Sequence, residues 1–125
     1  MKTIAILVMV MSSISGVMNT ALSGMLAQQQ RAAATANNVA NAQTPGYDRL
    51  VTNFQSTQPN GVKATVRPSG TPTAPGESNV DLADEAVSMI ETSVAYKANA
   101  SVFEAGADMW EALSTMVRDH DGDQS

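Results

Sequence analysis

The sequence contains no cysteine, which excludes disulfide bonds, thiolate nucleophiles and cysteine-based metal sites. Aromatic residues make up only 4% of the 125 residues, and histidine occurs once. Aromatic side chains normally supply much of the buried area of a core, so the interior must be filled by Ala, Met and Val. We therefore expect a single helical domain with a small core, whose packing is completed by neighbouring copies. We do not expect a two-domain enzyme.

Acidic residues are almost absent from the first part of the chain. Residues 1–76 hold five basic residues and one acid, whereas residues 77–125 hold two basic residues and eleven acids. This split argues against nucleic acid as the main partner. It favours contacts in which the basic half of one molecule meets the acidic half of the same molecule or of a neighbour.

The N-terminal segment, residues 1–17, has a lysine, an unbroken apolar run from Ile4 to Met11, and then small polar residues. Three interpretations fit this composition: a secretory signal cleaved near Gly16, a segment that precedes a true translation start at Met18, or a structural extension. The run alone is too short to span a bilayer, which needs about 20 apolar residues. We expect residues 1–17 to lie outside the core fold.

Residues 18–46 predict an alanine-rich helix that ends in a turn. The helix has heptad spacing, and its apolar seam is Met18, Leu22, Met25, Gln29, Ala32, Ala36 and Val39. Thr44 precedes a proline and so leaves the helical region. Pro45 and Gly46 suit the two central positions of a type II turn.

Three asparagines, Asn37, Asn38 and Asn41, stand near the end of this predicted helix. Their side chains are neutral donors and acceptors, which can bond backbone groups without the desolvation cost of a charge. We expect them to bond a neighbouring subunit, which makes this region a contact for assembly.

Residues 47–79 differ in character from the helices. The runs DRLVTNF and VKATVR are β-prone and are separated by turn-forming residues, which predicts a small hairpin. The next stretch, PSGTPTAPGES, holds three prolines and two glycines and predicts an extended linker.

Residues 80–118 predict a second long helix, capped by Asp81. It carries two apolar seams. The first is Leu82, Ala86, Met89, Ser93, Tyr96, Ala100, Phe103, Ala107, Trp110 and Ser114, and the second is Val87, Ile90, Val94, Ala98, Val102, Ala105, Met109 and Leu113. Because the sequence predicts only one other long helix, we expect one seam to be left for other subunits. The fold class is thus mainly α, with paired, coiled-coil-like N- and C-terminal helices and a short β-hairpin or extended middle.

No pattern of residues indicates a catalytic or metal site. His120 stands in an acidic tail, residues 119–125, beside Asp119, Asp121 and Asp123, but the spacing is not that of a calcium loop and a solvated tail is favoured. Glu85 and Glu91 lie six residues apart with no base or pocket implied, which favours exposed helix charge. We expect no enzymatic activity, no cofactor, no metal and no small-molecule substrate.

Two stretches resemble the signatures of the flagellar rod, hook and hook-associated axial proteins. LSGMLAQQQRAAATANNVANAQTPGYDR is similar to the N-terminal signature, in which a helix leads into an Asn-Asn-Leu-Ala-Asn-like box and a Thr-Pro-Gly-Tyr turn, although Val39 stands where leucine is usual. ESNVDLADEAVSMIETSVAYKANASVFEAGADMWEAL is similar to the C-terminal signature. The matching positions there are Ser78, Asn79, Val80, Leu82, Glu85, Met89, Ile90, Tyr96, Asn99, Ala107, Met109 and Leu113.

The resemblance implies a non-enzymatic structural subunit of the bacterial flagellum. Such proteins leave the cytoplasm through the flagellar type III export apparatus and assemble helically with copies of themselves and with other axial proteins. The brief middle resembles short proximal rod subunits of the basal body, which cross the periplasm, transmit torque and enclose the export channel. The alternatives are a truncated hook-type paralogue and a Sec-exported periplasmic helical adaptor. The expected assembly residues are Leu22, Met25, Asn37, Asn38, Val39, Asn41, Pro45, Gly46, Leu82, Met89, Ile90, Tyr96, Asn99, Phe103, Met109, Trp110 and Leu113.

Overall fold

Two long helices and one hairpin form the fold in the computed structural model, which describes residues 1–122. Helix α1 covers Lys2–Ala40, strand β1 Leu50–Ser56, strand β2 Val62–Pro68 and helix α2 Leu82–Gly122. The predicted fold class, with paired long helices and a short β-hairpin between them, is confirmed.

Helix α1 begins at Lys2, not at Met18 where the heptad spacing predicted its start. No proline interrupts residues 2–40, and Ala, Leu, Met and Ile sustain the helix through the N-terminal segment. Ile14, which we expected to lie outside the core, is only 6% exposed. The expectation for residues 1–17 is therefore corrected at this position, because the continuous helix carries Ile14 onto α2.

The rest of the N-terminal segment is largely uncovered. Its exposed large apolar side chains are Met1, Ile4, Ile6, Val8, Met9, Val10 and Val17. Because the helix continues the apolar run past Met11, α1 contains a stretch that is long and apolar enough, by length and composition, to cross a membrane.

The strands form an antiparallel hairpin that lies along α1. Its register runs from Leu50 opposite Pro68 to Ser56 opposite Val62. The backbone N–H of Val62 donates to Oγ of Ser23 on α1 at 3.1 Å, which fixes the turn end of the hairpin to the helix. Ala64 is the buried side chain of β2.

Helices α1 and α2 pack antiparallel through small and polar residues. A Cβ atom added at Gly24 would lie 2.6 Å from Oδ1 of Asn99, and one added at Gly106 would lie 2.5 Å from Cγ of Met18. The backbones can come this close only because these positions lack side chains. The buried residues of α1 are Ile14, Ala21, Gly24, Ala27, Ala34, Thr35 and Asn38, and those of α2 are Glu85, Thr92 and Gly106.

The most buried residues of α2 lie between the two predicted seams, and the first seam also reaches α1, since Met89 and Tyr96 line a groove with Ala32. The seams flank a row of smaller residues that includes Glu85, Ser88, Thr92, Asn99 and Gly106 and that makes the contact. The exposed large residues of the two seams are Leu82, Val87, Met89, Ile90, Val94, Tyr96, Val102, Met109 and Trp110.

The N-terminal end of α2 agrees with the prediction from the sequence, and the C-terminal end differs from it. Oδ1 of Asp81 accepts hydrogen bonds from the N–H groups of Ala83 at 2.8 Å and Asp84 at 3.3 Å, so the predicted cap is confirmed. The helix continues past Arg118 to Gly122. The remainder of the predicted acidic tail, including Asp123, lies outside the described residues.

Candidate assembly site

The chain leaves α1 through a type II turn. Gly46 has a φ of 75°, and the N–H of Tyr47 donates to the carbonyl of Thr44 at 3.1 Å. A positive φ at the third position of the turn favours glycine, as the Thr-Pro-Gly sequence predicted. The turn directs residues 47–49 back towards the segment that precedes α2.

We use the name joint for the place where residues 42–50 meet residues 77–85. The N–H of Gly46 donates to the carbonyl of Glu77 at 2.9 Å, and the N–H of Asn79 donates to the carbonyl of Tyr47 at 3.3 Å. The N–H of Arg49 donates to Oδ1 of Asn79 at 2.6 Å. The two stretches that carry the sequence signatures therefore bond each other directly, within one chain.

Asp48 and Asn79 form the polar centre of the joint. Nδ2 of Asn79 donates to Oδ1 of Asp48 at 2.8 Å, and the N–H of Gly70 donates to Oδ2 at 2.9 Å. The hydroxyl of Ser69 also donates to Oδ1 of Asp48. These bonds favour the ionised form, so the hydroxyl of Ser69 first, and then Asn79 and Gly70, hold the pKa of Asp48 below its usual value.

Asn38 connects the joint to the hairpin. Its side chain is buried, with Oδ1 accepting from the N–H of Leu50 at 2.8 Å and from the hydroxyl of Tyr47 at 3.1 Å. Nδ2 donates to the carbonyl of Leu50 at 2.9 Å. The expectation that Asn38 bonds a neighbouring subunit is therefore wrong, because its side chain is enclosed and bonded within the chain.

The two other asparagines bond their own helix. Nδ2 of Asn37 donates to the carbonyl of Ala33 at 3.2 Å, and Nδ2 of Asn41 donates to the carbonyl of Asn37 at 2.9 Å. Asn37 is exposed, so it remains available to a partner, whereas Asn41 is half-buried. The sequence could not separate these roles because the three residues share one chemistry.

Tyr47 lies where the hydroxyl is partly withdrawn from solvent. Burial first, and then the negative charges of Glu85 and Asp48, raise its pKa above the ordinary value. The phenol therefore stays protonated and keeps donating to Asn38.

A buried ion pair ties the joint to the first turn of α2. Nε of Arg49 donates to Oε1 of Glu85, whose side chain is 1% exposed. Oε2 of Glu85 has no hydrogen-bond partner among residues 1–122. The interpretation of Glu85 as exposed helix charge is wrong, because the joint folds over this first turn and removes the carboxylate from water.

Arg31 on α1 and Glu91 on α2 form a second ion pair, which is more exposed to solvent. Nη2 of Arg31 lies 2.5 Å from Oε2 of Glu91, whose side chain is 58% exposed. Glu85 and Glu91 thus bind different arginines and do not form a paired-carboxylate site. Within the part of the chain that the structure describes, no group of three or more His, Asp or Glu residues could hold a metal ion.

The predicted assembly residues fall into three classes of exposure. Asn38 is buried. The half-buried residues are Met25, Asn41, Asn99, Phe103 and Leu113. The exposed residues are Leu22, Asn37, Val39, Pro45, Gly46, Leu82, Met89, Ile90, Tyr96, Met109 and Trp110. Most of the predicted residues are thus free to contact a partner. The predicted set did not include Arg49, and the only sequence feature that pointed to it was its place close behind the Thr-Pro-Gly turn.

Two protein families match the same two stretches of the chain that bond each other at the joint. The sequence model of the family described as Flagella basal body rod protein matches residues 18–47, and that of the Flagellar basal body rod FlgEFG protein C-terminal matches residues 76–116. Together they cover more than half of the chain, and they are the segments that meet at the joint.

Curated relatives include the flagellar hook protein FlgE of Brucella abortus biovar 1 (strain 9-941) and that of Rhizobium meliloti (strain 1021). Each is 50% identical to this chain over 44 residues, which is 35% of this chain and 11% of the hook protein. The match thus spans only a small part of the length of these relatives. With both terminal signatures present, in order and bonded to each other, the chain belongs to the flagellar basal-body rod and hook family of structural proteins.

Proposed function

We propose that this chain is a structural subunit of the flagellar basal-body rod, which assembles helically through the exposed apolar faces of its two long helices. The observation that carries the proposal is the exposure of both seams of α2. Ile90 is 65% exposed and Val94 is 63% exposed, although both stand in continuous apolar rows. Contiguous apolar surface of this kind marks a contact with other proteins.

Assembly would bury the apolar side chains that the single chain leaves exposed. Most of the buried side chains of the two helices are small, and burial stabilises by about 25 cal/mol per Å² of apolar area. The lone subunit therefore gains little from its own packing, and neighbouring subunits cover the larger residues of the seams. Its partners are copies of itself and other axial proteins, reached after export from the cytoplasm through the flagellar export apparatus.

The short middle favours a rod subunit over a hook subunit. Between the two helices there is only the hairpin of β1 and β2, and it lies against α1 without forming a separate domain. In this role the stacked subunits cross the periplasm, transmit torque and line the export channel.

Two other functions have an observation in their favour. A truncated hook-type axial paralogue is favoured by the 50% identity to hook proteins over 44 residues. A Sec-exported periplasmic adaptor is favoured by the apolar start of α1.

Isolation of flagellar basal bodies and hooks from the native bacterium separates these functions. We expect the chain to co-purify with the rod fraction, and we expect Ile90→Arg to abolish incorporation while Ile90→Leu retains it. Recovery with detached hooks would favour the hook paralogue, and recovery as a free periplasmic protein would favour the adaptor. Normal incorporation of Ile90→Arg would overturn the use of the second seam in assembly.

A further inference from the structure

The N-terminal half of α1 lies outside the stretch that matches the family. The match begins at residue 18, whereas the helix begins at Lys2. The whole stretch from Thr3 to Gln30 is without charge, and basic residues, Lys2 and Arg31, stand at its two ends. A helix needs about 20 predominantly apolar residues to cross the hydrocarbon core of a bilayer, so this stretch is long enough.

Apolar side chains surround most of the helix at its start. Ile4, Ile6, Val8, Met9 and Val10 are all exposed, and with 3.6 residues per turn they spread over about two thirds of the circumference. A helix that packs on a protein neighbour needs only an apolar stripe, whereas one that is apolar on nearly all sides suits a lipid environment. Only 11% of the most apolar window is buried within the chain.

The part of α2 beside this segment has a different chemistry. Glu111 and Arg118 line the same shallow groove as Ile4, Leu7 and Val8. Charged side chains are expensive in hydrocarbon, so this end of α2 cannot accompany α1 into a bilayer. Insertion of this part of α1 would therefore remove Met18 from α2 and break the close contact at Gly106.

We propose that the start of α1, about 20 residues from Thr3, inserts into a lipid bilayer and anchors the chain to a membrane, with Lys2 at one polar border of the inserted stretch. This inference goes beyond the rod assignment, because most of the inserted residues precede the stretches that match the family, residues 18–47 and 76–116. An anchored chain that also assembled as a rod subunit would stand at the membrane end of the axial structure.

Flotation with lipid vesicles tests the proposal on the full chain. The purified protein is mixed with vesicles of phosphatidylethanolamine and phosphatidylglycerol and centrifuged through a density gradient. We expect the native chain to float and Val8→Arg to float at least tenfold less. Val66→Arg is the control, since Val66 on β2 is an exposed valine like Val8 and lies outside the seams of α2. It should float like the native chain.

Met9→Arg serves as a second variant, because Met9 is 71% exposed and has little packing to lose. Circular dichroism of each variant checks that its helix content is unchanged. A native chain that stays at the bottom of the gradient, or an equal loss for Val66→Arg, would overturn the proposal.

Fractionation of the producing cells distinguishes a lasting anchor from two other uses of the segment. We expect the chain to remain in the membrane pellet after an alkaline carbonate wash, with residues 1–17 present in its intact mass. A soluble chain cleaved near Gly16 would instead identify a signal peptide. A soluble oligomer that Val8→Arg dissociates would identify a second copy as the partner of this surface. Either result would overturn the membrane anchor.

Discussion

The inner and outer faces of the helix pair have opposite compositions. The buried residues of the two helices are mostly Ala, Gly and Thr, together with Ile14, Asn38 and Glu85. The larger apolar residues of α2, such as Ile90 and Val94, face outwards. A helix pair that folds alone normally places its large apolar side chains between the helices. In this chain the arrangement is reversed, so most of the available hydrophobic stabilisation is left for other molecules.

The reversal assigns different tasks to the two faces. The inner face sets geometry, because small residues bring the helices close and buried polar groups bond only in one arrangement. The outer face supplies area for association. A subunit built in this way has its shape specified before assembly while much of its stabilisation comes afterwards.

The buried ion pair of Arg49 and Glu85 gives the largest expected effect on stability. Arg49→Leu would leave the carboxylate of Glu85 buried without its cation, which costs about 3 kcal/mol in free energy of unfolding. Arg31→Leu is the matched control, because its partner Glu91 is 58% exposed and solvent can replace the lost charge. That change should cost less than about 1 kcal/mol.

Urea unfolding followed by far-UV circular dichroism measures both values. If Arg31→Leu destabilised the chain as much as Arg49→Leu, burial would not distinguish the two pairs.

The asparagine pair gives the next largest effect. Asn38→Leu keeps the size of the side chain but removes the partners of the N–H and carbonyl of Leu50, which should cost about 2 kcal/mol. Asn37→Leu, one residue earlier, removes only a bond to the carbonyl of Ala33 on the exposed side and should change the free energy of unfolding by less than about 0.5 kcal/mol. Equal melting temperatures for the two variants would contradict a special role for Asn38.

Local patterns predicted the elements of the fold well. The turn at Thr44 to Gly46, the cap at Asp81 and the hairpin depend on neighbours in sequence, and each was confirmed. These features follow from backbone preferences that a short stretch contains in full.

Contacts between distant residues could not be predicted from local sequence patterns. Hydrophobic periodicity identified the seams of α2, but it assumed that large apolar residues face inwards, and the close approach at Gly24 and Gly106 was not visible in it. The partner of Glu85 is Arg49, which lies on a different element, and no local pattern connects the two. The role of Asn38 likewise depends on where the chain returns at Leu50.

Adjacent residues on α1 test the reversed composition directly. Ala27 is 3% exposed, so Ala27→Leu would overpack the buried face of α1 and cost on the order of 1 kcal/mol. Leu26 is 53% exposed on the outer face, and Leu26→Ala should leave the free energy of unfolding of the isolated chain nearly unchanged. Thermal unfolding of both variants provides the comparison. A larger loss for Leu26→Ala would mean that the outer face stabilises the lone subunit after all.

Acid titration gives the smallest expected effect, because Asp48 lies in a solvent-accessible part of the joint. Its pKa is lowered in the folded chain, chiefly by the hydroxyl of Ser69, so its contribution to stability is complete above the unfolded value of about 3.9 and is lost as the pH falls through the folded pKa. Asp48→Asn should therefore remove part of the decline in melting temperature below about pH 4. Ser69→Ala should move the carboxyl titration of Asp48, followed by NMR, towards higher pH. An unchanged titration in Ser69→Ala would show that this hydroxyl does not stabilise the carboxylate.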